Sequence, residues 1–273
     1  MTLNCNGKLV DISSPKVMGI LNSTPDSFFD GGKYNNESDI LQQVEKMLLE
    51  GATFIDVGAY SSRPGATHIS EEEELQRIVP VIELLVKNFP EIIISVDTFR
   101  SNVAKETVEV GAAIINDISG GKMDSNMFKT VAELKVPYIM MHMLGTPQNM
   151  QKNPVYQDVT KELISFFAAQ ISKLHQLKVN DIIIDVGFGF GKTIEHNYQL
   201  LKDLALFKNL DAPILAGISR KSMLYKPLEI TPQLALNATT SANTIALLNG
   251  ANILRVHDVK EAMEAIKIVE QLN

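Results

Sequence analysis

The chain has 273 residues, 45% of them hydrophobic and 21% charged, and carries a net charge of −7. That composition is ordinary for a globular protein, and the length suits one large α/β barrel or two small domains. The acidic balance, with no run of lysine and arginine, argues against nucleic acid as a partner, and no stretch approaches the roughly twenty apolar residues of a membrane span.

The opening residues, "MTLNCNGKLVDIS", show no basic region followed by an apolar run, so no signal peptide is expected and a cytoplasmic location is. They are expected to form a short hairpin across the bottom of the fold. Cys5 is the only cysteine, which excludes an internal disulfide and a cysteine-based metal cluster. The run "VMGILN" (17–22) then starts as a buried strand but ends in Asn22. After it, Phe28 and Phe29 stand in a loop too polar and broken to bury them, so they cap the core or cover something that is not always there.

Seven more short apolar runs follow: "FIDVGA" (54–59), "IIISVDT" (92–98), "AIINDIS" (113–119), "PYIMMHM" (137–143), "IIIDVGF" (182–188), "PILAGIS" (213–219) and "NILRVHD" (252–258). Their richness in Ile, Val and Met and their length predict buried parallel strands. The segments between them predict helices. In "SEEEELQRIVPVIELLVKN" (70–88), Ser70 and Glu73 stand at capping-box spacing, the four acids suit the dipole of a first helical turn, and Pro80 should kink the helix. In "QDVTKELISFFAAQISKLHQL" (157–177), Val159, Leu163, Phe167, Ile171 and Leu174 recur at spacings of three and four. Eight such units in about 250 residues predict a single (β/α)8 TIM barrel with a short N-terminal hairpin. The rival is a doubly wound sheet with a small second domain. No Pro/Gly/Ser-rich linker divides the chain, so residues 1–273 read as one domain.

In such barrels the site lies at the C-terminal ends of the strands. Those ends carry Asn22, Asp56, Asp97, Asn116, His142, Asp185, the Ser219-Arg220-Lys221 turn, Arg255 and His257. Each taken alone could be structural, since strand-end Asp and Asn often cap helices or form turns. Converging on one rim, they describe a ligand in two parts. Carboxylates and amides suit a flat heterocycle with several N–H donors. Lys, Arg and His, with Arg63 from "SSRPGA", suit an anion such as phosphate, and a pocket's field can oppose the global charge.

Several features read as bland. "GFGFGKT" (187–193) leaves three residues between Gly187 and Gly191 where a phosphate loop needs four, so it reads as a glycine turn that a ligand can approach. The five histidines show no metal-ligand spacing. His68, His175 and His196 are expected to face solvent. His142 is open between a structural and a ligand role, and Met140, Met141 and Met143 read as core.

The segments "MGILNSTPDSFFDGG", "IDVGAYSSRPGA", "SVDTFRSNVAKETVEVGAAIINDISGG", "DVGFGFGKT", "GISRKSML" and "ATTSANTIALLNGANILRVHDV" closely resemble the dihydropteroate synthase family across essentially the whole chain. The resemblance implies an enzyme that joins a dihydropterin methyl diphosphate to 4-aminobenzoate, the two small-molecule partners. It implies that Asp97, Asn116, Asp185 and Lys221 hold the pterin ring, with Asp185 on its amino-amidine edge. Arg255 would cover the ring and, with His257, meet the diphosphate. Ser62 and Arg63 would come in on the second loop, and Asn22 would sit by the diphosphate and its Mg2+. Phe28, Pro64, Phe190 and the Lys221 stem would enclose the 4-aminobenzoate ring, with its carboxylate at Ser222. Arg63, Lys221, Arg255 and His257 would serve catalysis. The loop aromatics would then close over a second substrate, one whose binding is expected to need diphosphate first.

A homodimer is also implied. One departure stands out: the family's second signature usually reads Gly-Gly-Glu-Ser-Thr-Arg-Pro-Gly, and here Ala59 and Tyr60 replace Gly and Glu. The rivals are a barrel presenting methylated folate to a corrinoid protein and a pterin binder without turnover.

Overall fold

The computed structural model describes residues 1–22, 37–60 and 68–272. Strands β1 (Thr2–Cys5) and β2 (Lys8–Asp11) form the expected antiparallel hairpin. Its two-residue turn is Asn6-Gly7, at φ 51° and 87°. Both angles are positive, as a type I′ turn requires, and Asn-Gly is the pair that tolerates them best.

Each of the other eight predicted runs contains a strand: β3 (Lys16–Asn22), β4 (Phe54–Gly58), β5 (Ile94–Asp97), β6 (Ile114–Asp117), β7 (Tyr138–Met141), β8 (Ile182–Asp185), β9 (Ile214–Ala216) and β10 (Ile253–Val256). All pair in parallel, in chain order, and β10 closes the ring between β9 and β3. The described helices are α1 (Glu37–Leu49), α2 (Glu71–Asn88), α3 (Ser101–Glu109), α4 (Met127–Leu134), α5 (Val159–Gln176), α6 (Ile194–Lys202), α7 (Ser222–Tyr225), α8 (Leu236–Leu248) and α9 (Val259–Glu270). The molecule is a (β/α)8 barrel, not a doubly wound sheet. Among the described residues no helix is long and apolar enough to cross a membrane.

The core has two main layers. Val17, Val57, Val96, Ile115, Met140, Ile184 and Leu254 pack outward against the helices. Met18, Phe54, Ile93, Ile114, Ile139, Ile183, Leu215 and Ile253 form a separate cluster with Leu3, Cys5, Val10 and Ile12 of the hairpin segment. The hairpin therefore plugs the N-terminal end of the barrel. Side chains alternate along a strand with period two. Two residues above Phe54, Ile114, Ile183, Leu215 and Ile253, the inward positions are Asp56, Asn116, Asp185, Gly217 and Arg255. Apolar packing fills the lower barrel, and the same strands deliver polar groups to its mouth.

Helix α2 departs from its sequence reading in one way. Ser70 does cap it, accepting from the Glu73 N–H at 3.1 Å. Its acids, however, are not all dipole partners in solvent. Glu74 is fully buried and ion-pairs with Arg100, whose guanidinium also donates to the carbonyls of Ser70 and Ile69. The helix continues through Pro80.

Candidate active site

Asp56, in the middle of β4, is fully buried and central to the barrel mouth. Its Oδ2 accepts from Arg255 Nε at 2.6 Å, and the Asn116 amide donates to Oδ1 and Oδ2 at 3.3 and 3.1 Å. Arg255 also donates from Nη2 to Asp97 Oδ2 at 3.0 Å. One guanidinium thus joins two acids from neighbouring strands. Burial works against the Arg255 charge, but Asp56 and Asp97 hold it more firmly protonated than usual. Burial pushes the Asp97 carboxyl up to about 7, with Arg255 pulling the other way and Asp56 adding to the rise. The other Asp97 oxygen accepts no hydrogen bond among the described residues.

Across the mouth, Asp185 ends β8. Its Oδ1 accepts the Gly187 N–H at 2.8 Å. A Cβ built on Gly217 would lie 3.6 Å from Asp185 Oδ2 and 3.9 Å from Lys221 Nζ, so the glycine leaves space beside both charges. Lys221 donates to the Phe188 carbonyl, and its Nζ lies 4.7 Å from the Phe190 ring centre. Burial raises the Asp185 carboxyl, opposed by Lys221 and by the Gly187 N–H. Burial lowers the Lys221 ammonium to about 8, opposed by Asp185.

The structure therefore brings Asp97, Asn116 and Arg255 together, and sets Asp185, Lys221 and Phe190 around a second cluster. Asn22 ends β3 and lies in register with Gly58, which lies in register with Asp97. Ser222 is the first residue of the short α7. His257 follows β10 and is exposed, its Nδ1 3.0 Å from Ser219 Oγ. Phe28, Ser62, Arg63 and Pro64 lie outside the described residues.

Other readings change. Arg220, from the Ser219-Arg220-Lys221 turn, is already engaged within the fold. It is clamped bidentately on Asp258 at 2.8 Å and donates to the carbonyls of Pro232 and Gln233. His142 is structural: it is buried, stacks edge-on against Phe166, and sits 3.3 Å from Lys192 Nζ. Burial and Lys192 lower its pKa to about 2, so it is neutral. His196 is half-buried and completes a capping box with Thr193, whereas His68 and His175 are exposed as expected. Met140, Met141 and Met143 are buried core. The glycine turn is no phosphate loop, because Lys192 points inward onto its carbonyls. The central place of Asp56 was the main omission. Its signal was present, as an acid two residues above the inward Phe54.

No group of three or more His, Cys, Asp or Glu among the described residues could hold a metal. A magnesium ion that keeps several waters and rides on phosphate oxygens needs few protein ligands. The Asn22 side chain at the mouth suits that mode.

A family model described as pterin binding enzyme matches residues 18–257. The dihydropteroate synthase of Escherichia coli K12 is 45% identical over 272 residues, covering 99% of this chain and 96% of that protein. This chain belongs to the dihydropteroate synthase family. Among solved structures of the family, the Yersinia pestis enzyme in complex with a sulfonamide drug superposes with a TM-score of 0.94 at 44% identity, covering 100% of this chain and 99% of that one. The Xanthomonas albilineans enzyme in complex with 7,8-dihydropteroate gives a TM-score of 0.89 at 34% identity, covering 100% and 98%.

Proposed function

We propose that this chain, a transferase of the dihydropteroate synthase family, condenses (7,8-dihydropterin-6-yl)methyl diphosphate with 4-aminobenzoate to give 7,8-dihydropteroate and diphosphate. Family membership supports the reaction, and the barrel mouth supports the assignment of residues. The observation that carries the assignment is at Asp185. One oxygen is fixed by the Gly187 N–H, and the other borders the space that Gly217 leaves beside Lys221. A carboxylate so held can accept two parallel hydrogen bonds from an amino-amidine edge.

In this reading Asp97, Asn116 and Lys221 complete the pterin site, and Arg255 lies over the ring. The bond that breaks joins the pterin CH2 carbon to a diphosphate oxygen. The bond that forms joins that carbon to the arylamine nitrogen. A dihydropterin spreads the positive charge left on the carbon into its ring, where Asp97 and Asp185 stabilise it. Arg63, Arg255 and His257, with Ser62, receive the departing diphosphate. The arylamine is neutral at pH 7 and, after attack, passes its proton to water or to the departing diphosphate, so no general base is assigned. Phe28, Pro64, Phe190 and the Lys221 stem enclose its ring, with its carboxylate at Ser222. Asn22 would hold a magnesium ion shared with the diphosphate, which would neutralise leaving-group charge.

A homodimer in the cytoplasm is part of the same proposal. Exposed Ile245 and Leu248 of α8 and Ile268 of α9 are consistent with a subunit interface, and sedimentation of the purified chain tests it.

The reaction is tested by following diphosphate release with and without 4-aminobenzoate. Release that depends on the arylamine, matched by dihydropteroate, supports the proposal. Pterin binding without either product would make the chain a pterin binder only.

A further inference from the structure

Lys192 is 3% exposed, yet all its contacts among the described residues are to carbonyl oxygens and a ring nitrogen, with no carboxylate. Its Nζ lies 3.1 Å from the His142 carbonyl, 3.0 Å from that of Gly187 and 2.9 Å from that of Phe190. Burying a cation without a paired acid is costly unless its protons are all satisfied. Three carbonyls match the three N–H groups of an ammonium. A neutral amine has only two to give.

The acceptors come from two places, the end of β7 and the turn after β8. Those segments touch backbone to backbone: a Cβ at Gly187 would come within 2.1 Å of the His142 carbonyl oxygen. The turn that Lys192 fills from inside also sets the site. Its Gly187 N–H fixes Asp185 Oδ1, its Phe188 carbonyl receives Lys221, and its Phe190 ring faces the same ammonium. Asp185 is flanked by the cations Lys221, Arg255 and Lys192. Burial pushes the Lys192 ammonium well below the ordinary lysine range, Asp185 opposes that fall, and Lys221 and Lys122 add to it. The three carbonyl acceptors favour the charged form, with neutral His142 beside them.

We propose that Lys192 is a positioning residue for the pterin site, its caged ammonium holding the 187–191 turn so that the Gly187 N–H presents Asp185 to the pterin edge. The inference rests on the assignment of Asp185 to that edge. It also gives the "GFGFGKT" motif a role that a phosphate loop would not. The outer side of the turn has other supports, since Asn197 Oδ1 accepts the Gly189 N–H at 2.7 Å and Tyr156 donates to the Gly191 carbonyl at 2.8 Å. The fold should therefore survive loss of the charge.

The test is a double-variant cycle on the full chain, with affinity for 6-hydroxymethyl-7,8-dihydropterin measured by calorimetry well below the melting temperature. Lys192→Gln keeps a neutral donor in the cage, and Lys192→Met removes every donor. Asp185→Asn provides the second background. Each Lys192 variant should weaken pterin binding by at least about tenfold in the parent, the range expected when a buried polar contact is mispaired. In the Asp185→Asn background the same change should cost less than about twofold, because residues in one network are not additive. Equal factors in both backgrounds, or unchanged affinity in folded Lys192→Gln, would overturn the inference. Failure of both variants to fold would assign Lys192 to the fold alone and overturn it too. If Asp185→Asn itself binds pterin normally, the assignment of Asp185 is what fails.

Discussion

Arg255 joins Asp56 to Asp97: its Nε donates to the first at 2.6 Å and its Nη2 to the second at 3.0 Å. β10 and β5 lie on opposite sides of β3 and β4 in the ring, so this guanidinium spans part of the barrel mouth. The arrangement is a small buried network in which each charge answers another. Removing Arg255 would leave two acids uncompensated, whereas removing either acid leaves Arg255 paired with the other.

Asp56 is therefore expected to matter for stability as well as for the site. Asp56→Ala should lower stability by about 1–3 kcal/mol, because Arg255 Nε and the buried Asn116 amide lose their acceptor while Arg255 keeps Asp97, as read from urea unfolding. Asp56→Asn keeps the shape but weakens the hold on Arg255, and should reduce kcat/KM for the pterin substrate at least tenfold. Wild-type stability in Asp56→Ala would remove Asp56 from its central place.

Asp185→Asn should weaken pterin binding far more than 4-aminobenzoate binding. The amide turns one acceptor into a donor facing the ring's own donors, which should cost about 1–3 kcal/mol. Calorimetric titration of pterin checks this. A loss below about 1 kcal/mol would take Asp185 out of the pterin edge.

Gly217→Val should block the site without unfolding the chain. A Cβ there meets its neighbours at ordinary contact distance, 3.6 Å from Asp185 Oδ2 and 3.9 Å from Lys221 Nζ. The two methyl groups beyond it would occupy the space beside those charges. Pterin affinity should fall at least tenfold (about 1.4 kcal/mol), with the circular dichroism spectrum unchanged.

The pH dependence follows from the two shifted groups. The Asp97 carboxyl is raised to about 7 and the Lys221 ammonium lowered to about 8, each chiefly by burial. Both are ionised together only in a narrow range between those values, so kcat/KM should trace a bell centred there. Stability moves differently. From the ordinary carboxylate range up to about pH 7 the folded state binds more Asp97 protons than the unfolded state, so stability falls as pH rises. From about pH 8 to the ordinary lysine range the folded state binds fewer Lys221 protons, so stability rises with pH. Ionising both groups inside the fold thus works against stability in the range where the site is active. Lys221→Met should lower turnover and erase the alkaline limb. A mutant with normal turnover would make Lys221 a mere turn residue.

The barrel was legible because each strand is a short apolar run, and the period-two alternation carries its polar exceptions to one end. The hairpin was legible too, with Asn6-Gly7 marking its turn. What local pattern could not give was partnership across the ring. Asp56 and Arg255 are 199 residues apart in sequence, and nothing near either announces the other. The same holds for Glu74, which reads as one of four dipole-facing acids until Arg100 reaches it from the loop before α3. Arg220 stands in the same turn as Lys221, yet its guanidinium pairs with Asp258, which lies 38 residues further along the chain. The cage of Lys192 is equally illegible locally, because one of its carbonyls comes from His142, fifty residues earlier.

The measurement that bears most directly on the account is a crystal structure of the chain with a bound 6-substituted dihydropterin. The account predicts the amino-amidine edge within hydrogen-bond distance of Asp185 Oδ2, Asn116 and Asp97 beside the ring, and the Arg255 guanidinium against its face. A pterin seated away from the barrel mouth, or one turned so that its amino-amidine edge faces away from Asp185, would contradict it.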